Sequence, residues 1–145
     1  MATILLVHGP NLNKLGTRDK EHYGTVTLPA IEHMVADEAE KSGHKIKAFQ
    51  SNTEGELIDF LQKESPDAAG IIINPGALTH YSYALHDALI DTGLPAVEVH
   101  LSDVSAREEW RRHSVTAPAC VGVVSGKKEA GYVEALQKLL TKIAK

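Results

Sequence analysis

The sequence predicts an α/β fold, a five-stranded parallel sheet with helices on both faces. Three observations predict it. Short apolar runs such as Ile4-Leu5-Leu6-Val7 and Ile71-Ile72-Ile73 recur along the chain, as buried parallel strands require. Segments with apolar residues at helical spacing separate them, and Gly or Pro stands at most joints. At 145 residues, 43% hydrophobic and 23% charged, the chain is long enough to bury one good core, so residues 1–145 are expected to form a single domain.

Taken in order, Ile4 to Val7 is the first strand. Thr27 is a plausible N-cap with Pro29 in the first turn, and Ile31, Met34, Val35 and Ala39 recur at helical spacing until Gly43. His44 to Gln50 alternates around Ile46, Ala48 and Phe49 and suits a second strand. Glu54 to Glu64 places Leu57, Ile58 and Leu61 on one helical face and stops at Ser65-Pro66. Ala69 to Ile73 reads as a third, central strand, broken by Asn74-Pro75-Gly76. Ser82 to Thr92 is a helix closed by Gly93, Pro95 to Val99 a fourth strand, and Ser105 to Arg112 a short charged helix. Cys120 to Val124 is a fifth strand. From Ala130 onward, Leu136, Leu139, Leu140 and Ile143 mark a last amphipathic helix. Alternating strands and helices imply right-handed crossovers, and the common five-strand solution is the doubly wound, flavodoxin-like order 2-1-3-4-5.

Composition removes several functions. A net charge of −4 provides no basic field for phosphates, so nucleic-acid binding is disfavoured. No apolar run is long enough to span a bilayer, and the N-terminus enters a strand without a signal-peptide pattern, so a cytoplasmic protein is expected. The single cysteine, Cys120, cannot form an internal disulfide and reads as a small hydrophobe. The eight histidines are scattered without ligand spacing, and His33 and His44 suit packing or surface roles, so no metal site is expected. Neither a Gly-x-Gly-x-x-Gly nor a Walker pattern follows the first strand, and no Gly-x-Ser-x-Gly elbow occurs.

The unusual stretch lies between Gly9 and Gly24. Roughly eighteen residues separate the first strand from the helix at Thr27, far more than an ordinary strand-to-helix loop, and such loops are commonly lids or binding segments. This one carries Asn11, Asn13, Arg18, His22 and Tyr23. Ligands of open parallel sheets bind beyond the carboxyl ends of the strands, between strands one and three. The loops from Gly9, Asn74 and His100 emerge there, bringing Asn11, Arg18, Tyr23, Asn74, His80, His100, Ser102 and Asp103 to one rim. Acid–base chemistry fits these groups best. A phenol assisted by Arg18 can serve as base and His100 as acid. Glu98, two residues before His100, leaves the strand on the same face and can orient the ring. Simpler roles stand beside these: Tyr23 as an anchor on Leu15, His80 as a cap for the helix near Ser82, and Arg112 rather than Arg111 facing inward.

Several blocks resemble the type II 3-dehydroquinate dehydratases of the shikimate pathway. They are Gly9-Pro10-Asn11-Leu12-Asn13 with Leu15-Gly16-Thr17-Arg18 and Tyr23-Gly24; Ser51-Asn52 with Glu54-Gly55-Glu56-Leu57; Ile73-Asn74-Pro75-Gly76-Ala77 with Thr79-His80, followed by Ala84-Leu85 and Asp87-Ala88-Leu89; Glu98-Val99-His100-Leu101-Ser102; and Arg107-Glu108-Glu109 with Arg111 and His113-Ser114. They run in family order over nearly the whole chain, and the family's fold is flavodoxin-like. The resemblance implies reversible dehydration of 3-dehydroquinate to 3-dehydroshikimate in aromatic amino acid biosynthesis, without cofactor or metal. Tyr23 as phenolate would take a proton from the carbon beside the ketone, with Arg18 stabilising the charge. Asn11 would position a water at the enolate, and His100, oriented by Glu98, would protonate the departing hydroxyl. Leu101 and Ser102 would hold the substrate carboxylate, and Asn74, His80 and Arg111 the ring hydroxyls. Asp87 would reach a neighbouring subunit's site in a homododecamer built from trimers. A base that must first lose its proton implies activity that rises toward mildly alkaline pH.

The chain departs from the family pattern at Asp19-Lys20 for Glu-Pro, Asp103 for Asn, Leu78 and Val115 for Tyr, His86 for Arg, and Lys127-Lys128-Glu129 for an apolar turn. Lys20 is expected to leave the lid more mobile, and Asp103 to place a negative charge near an anionic substrate. The competing class is a non-catalytic flavodoxin-like binding module. A phospho-receiver would need an acidic cluster after the first strand and an Asp after the third; His8-Gly9-Pro10-Asn11 and Asn74-Pro75 stand there instead.

Overall fold

The computed structural model describes residues 1–143. Five parallel strands form one sheet: β1 (Ala2–His8), β2 (His44–Gln50), β3 (Gly70–Asn74), β4 (Ala96–His100) and β5 (Gly122–Ser125), in the order β2-β1-β3-β4-β5. The helices are α1 (Lys20–Tyr23), α2 (Leu28–Lys41), α3 (Glu54–Glu64), α4 (Tyr83–Asp91) and α5 (Ala130–Ile143).

Strand periodicity assigns the two faces. Ile4 and Leu6 of β1, Ile72 of β3, and Val97 and Val99 of β4 pack against Ile31 and Val35 of α2 and Leu136 and Leu139 of α5. Leu5, Val7, Ile71, Ile73 and Ala96 face the other way, onto Leu57 and Leu61 of α3 and Leu85 and Leu89 of α4. Covered on both sides, the central strands cannot alternate with polar residues, which is why they read as unbroken apolar runs. At the sheet edges, β2 and β5 are only half-buried. Gly70 admits α5: a Cβ there would lie 3.0 Å from two carbons of Leu139.

Helix starts follow the capping residues. Ala30 N donates to the Thr27 hydroxyl, and Leu85 N to the Ser82 hydroxyl at 3.0 Å, so Ser82 rather than His80 caps α4. Three expectations are corrected. The span from Ser105 to Arg112 is not a helix but two single 3₁₀ turns, Val104–Ala106 and Glu109–Arg112, separated by extended backbone at Arg107 and Glu108. Without an apolar stripe, that stretch has no face to bury and so nothing to hold a continuous helix. The fifth strand starts at Gly122, because a 3₁₀ turn over Ala117–Ala119, with Pro118 inside it, occupies the preceding residues. The fourth runs on through His100. The long first loop also has structure of its own, a 3₁₀ turn at Leu12–Lys14 and the single turn of α1.

Candidate active site

Two glycines bring the first and third loops together beyond the sheet. Gly9 N donates to Asn74 O at 2.7 Å, and a Cβ on Gly9 would lie 2.3 Å from the carbonyl oxygen of Pro75. Gly76, at φ +61°, faces Pro10, whose carbonyl oxygen is 2.9 Å from the position of a Cβ. Buried Leu12 and Leu15 pin the loop to the core, and Asn11 takes the left-handed conformation at φ 72°. The end of β2 holds that backbone, because Asn52 Oδ1 accepts from Asn11 N at 2.9 Å and Gln50 Nε2 donates to Gly9 O at 3.2 Å.

The loop then delivers a phenol. Asp19 caps α1 by accepting from Glu21 N, which leaves Tyr23 as the last residue of the turn before Gly24. Arg18 stacks its guanidinium 3.7 Å from the centre of the Tyr23 ring. The group that reaches the hydroxyl is a different one: Arg107 Nη1 donates to Tyr23 Oη at 2.7 Å and to Ser102 Oγ at 3.3 Å. Burial lowers the titration of Arg18, Tyr23 opposes that shift, and the charges of Arg107 and Arg111 add to it. Three arginines therefore converge on one anion-accepting region.

An imidazole stands on the same cavity. His100 closes β4, and its Nε2 lies 2.8 Å from Glu98 Oε2. Glu98 is wholly buried, and Thr79 (2.9 Å), Ser114 (3.0 Å) and Thr116 also donate to its carboxylate. Burial pushes the Glu98 carboxyl up, but the hydrogen bond and charge of His100, with the hydroxyls of Thr116 and Thr79, outweigh it and hold the group below the ordinary carboxylate range. A carboxylate so satisfied fixes the ring through Nε2 and leaves Nδ1 for proton transfer. His80 is held by its Nδ1, 2.7 Å from His113 O, and its ring meets Trp110 edge-on. Burial lowers His80 against the pull of that carbonyl, and neighbouring His100 and Arg111 lower it further, so the ring is neutral, with Nδ1 donating to the carbonyl and Nε2 left as an acceptor. Arg111 stacks 4.0 Å above the Trp110 ring.

The structure brings Asn11, Arg18, Tyr23, Asn74, His80, His100, Leu101, Ser102 and Arg111 to one cavity of about 100 Å³. Glu98 lies beneath it. Arg111, not Arg112, lines the wall. Asp87 does not belong to this cavity; its side chain is 78% exposed on α4, 3.1 Å from His86 Nδ1. Asp103 does not line the cavity either, since its carboxylate accepts from Ser105 N at 3.1 Å and Ser105 Oγ at 2.6 Å. Lys20 is exposed at the first position of α1. Sequence reasoning missed Arg107 as a site residue, and also the hydroxyls of Thr79, Ser114 and Thr116. The absence of an apolar stripe around Arg107 was the available sign that this segment is loop, and hence able to turn a side chain inward.

The model of the family Dehydroquinase class II matches residues 2–140 of this chain. A 3-dehydroquinate dehydratase of Clostridium beijerinckii is 52% identical, covering 98% of this chain and 99% of its own. One from Roseiflexus castenholzii is 53% identical over 94% of this chain and 87% of its own. The crystal structure of a type II dehydroquinase from Butyrivibrio crossotus is 41% identical and superposes with a TM-score of 0.92, covering 95% of this chain and 97% of that one. With a family match over most of its length and half its residues shared with such relatives, the protein belongs to the class II dehydroquinase family.

Proposed function

We propose that this chain is a 3-dehydroquinate dehydratase of aromatic amino acid biosynthesis, acting as one catalytic domain by acid–base chemistry. The observation that carries the reading is a phenol held by Arg107 and Arg18 on the same cavity as the Glu98–His100 pair. Tyr23 Oη, as phenolate, takes a proton from the carbon next to the substrate ketone, and the electron pair moves onto the carbonyl oxygen as an enolate. Asn11 holds a water against that oxygen. The enolate collapses, a carbon–carbon double bond forms, and the adjacent hydroxyl leaves as water with the proton of His100. The cycle closes when Tyr23 releases its proton and His100 regains one.

Arg107 and Arg18 stabilise the anionic oxygen of Tyr23, and Arg107 supplies the direct hydrogen bond. The Leu101 and Ser102 segment holds the substrate carboxylate; its carbonyls are anchored by Lys128 N and Gly126 N at 3.0 and 3.1 Å. Asn74, His80 and Arg111 bind ring hydroxyls. Assembly as a dodecamer of trimers completes each site with Asp87 of a neighbour. What supports assembly is Asp87 standing outside its own cavity, with exposed Tyr81, Tyr83, Ile90, Val121 and Val123 on the surface.

The test is ultraviolet absorbance of the conjugated enone product after adding 3-dehydroquinate to wild type and to Tyr23→Phe. Wild type is expected to turn over, with the variant slower by about a hundredfold to ten-thousandfold. Equal rates would remove Tyr23 from the role of base, and a silent wild type would leave the binding-module reading.

A further inference from the structure

Beneath the cavity lies a buried polar contact with no part in the proton transfers above. Asn74, 3% exposed at the end of β3, makes two hydrogen bonds through its side-chain amide. Its Oδ1 accepts from Gly76 N at 3.1 Å, and its Nδ2 donates to Tyr132 Oη at 2.9 Å. Tyr132, wholly buried, lies near the start of α5, where Gly131 lets the helix approach Val124 and Val99 to 3.4 and 3.5 Å of a would-be Cβ. His8, the register partner of Asn74 on β1 and also wholly buried, places its ring 6.2 Å from that of Tyr132 and its Nε2 3.1 Å from Glu32 Oε2.

The backbone N–H of Gly76 can only donate, so it fixes which end of the amide is oxygen, and the Tyr132 phenol then accepts from the nitrogen that the opposite end presents. One N–H of Nδ2 remains, and Asn74 lines the cavity. We infer that Tyr132 is a positioning residue: with Gly76 N setting which end of the Asn74 amide is oxygen, the phenol accepts from Nδ2 and holds the amide in place so that it presents a donor to the substrate. The group recognised at this point is then an oxygen acting as acceptor, as a ring hydroxyl can. Burial raises the Tyr132 hydroxyl far above its ordinary range, Asn74 opposes the shift and Glu32 adds to it, so the phenol stays neutral and its oxygen remains an acceptor for the amide. The inference rests on the reading of Asn74 as a substrate-binding residue.

A double-mutant cycle with steady-state kinetics on 3-dehydroquinate tests it, using wild type, Tyr132→Phe, Asn74→Ala and the pair. Tyr132→Phe removes one oxygen atom and keeps the ring. The expected result is a KM raised about tenfold with kcat within about twofold, and no further rise when the change is made on Asn74→Ala. An unmoved KM in Tyr132→Phe overturns the inference, and so does an equal rise on the Asn74→Ala background. Wild type without turnover overturns the functional reading, and the inference with it. Asn74→Asp gives a second reading should Tyr132→Phe fail to fold by circular dichroism. The carboxylate keeps acceptors for Gly76 N and the phenol O–H but offers the cavity no donor, so KM should rise at least as far as in Asn74→Ala. Wild-type KM in Asn74→Asp overturns the inference.

Discussion

At the scale of single residues, Arg107 and Glu98 carry the clearest consequences. Arg107 donates directly to the Tyr23 hydroxyl, whereas Arg18 lies over the ring face. A hydrogen bond to a charged group contributes about 1.5–3 kcal/mol, so Arg107→Ala is expected to lower kcat about tenfold to a hundredfold. Turnover measured at saturating 3-dehydroquinate checks it, and a wild-type kcat would return the charge-stabilising role to Arg18 alone. Glu98 yields a stability prediction. Its carboxyl titrates below the ordinary 4.5 in the folded protein, so the unfolded chain binds the proton more readily. That difference stabilises the fold above the unfolded value and disappears as pH falls through the folded one. Melting temperature should therefore drop between about pH 6 and pH 3 in wild type and drop less in Glu98→Gln. Equal slopes would mean that other carboxyls govern acid unfolding. Asp103, whose charge the sequence placed next to an anionic substrate, caps the turn at Val104–Ala106 and accepts twice from Ser105.

At the scale of elements, the site depends on how closely two loops pack. The loop after β1 and the one after β3 meet where Gly9 faces Pro75 and Gly76 faces Pro10. Gly9→Ala would put a methyl group 2.3 Å from a backbone oxygen that cannot swing aside. The expected cost is about 2 kcal/mol or more, read as a melting temperature lower by several degrees, together with a raised KM as Asn11 and Asn74 move apart. A variant with unchanged stability would show that the loops can slide past each other. Strand and helix positions were legible because each rests on local rules: the helix at Glu54–Glu64 on its apolar spacing, α4 on the Ser82 cap, β1 and β3 on unbroken apolar runs. The segment from Val104 to Arg112 was not, because charged residues alone suit a helix, a turn or extended backbone equally, and Arg107 within it bonds Tyr23, 84 positions away.

At the scale of the whole molecule, the proposed trimer makes each site a joint product of two chains. In that proposed assembly Asp87 of one subunit would serve the cavity that holds Tyr23 of another, so Asp87→Ala and Tyr23→Phe would damage different contributions to the same site. Co-refolding the two inactive variants should restore a fraction of wild-type turnover, from cavities that combine an intact Tyr23 with an intact neighbouring Asp87. No recovery in assemblies of confirmed mixed composition would show that Asp87 works within its own chain or not at all. The sequence by itself determined the class of fold and the strand order, since hydrophobic period and right-handed crossover leave few alternatives. It also determined which three loops meet, since parallel strands must present their carboxyl ends together. Only the tertiary structure decided which arginine bonds the phenol, which hydroxyls satisfy Glu98, and that Tyr132 holds Asn74. Those pairings join residues far apart in the chain. Distance and direction between such side chains are set by packed helices and a twisted sheet, and spacing along a sequence does not encode them.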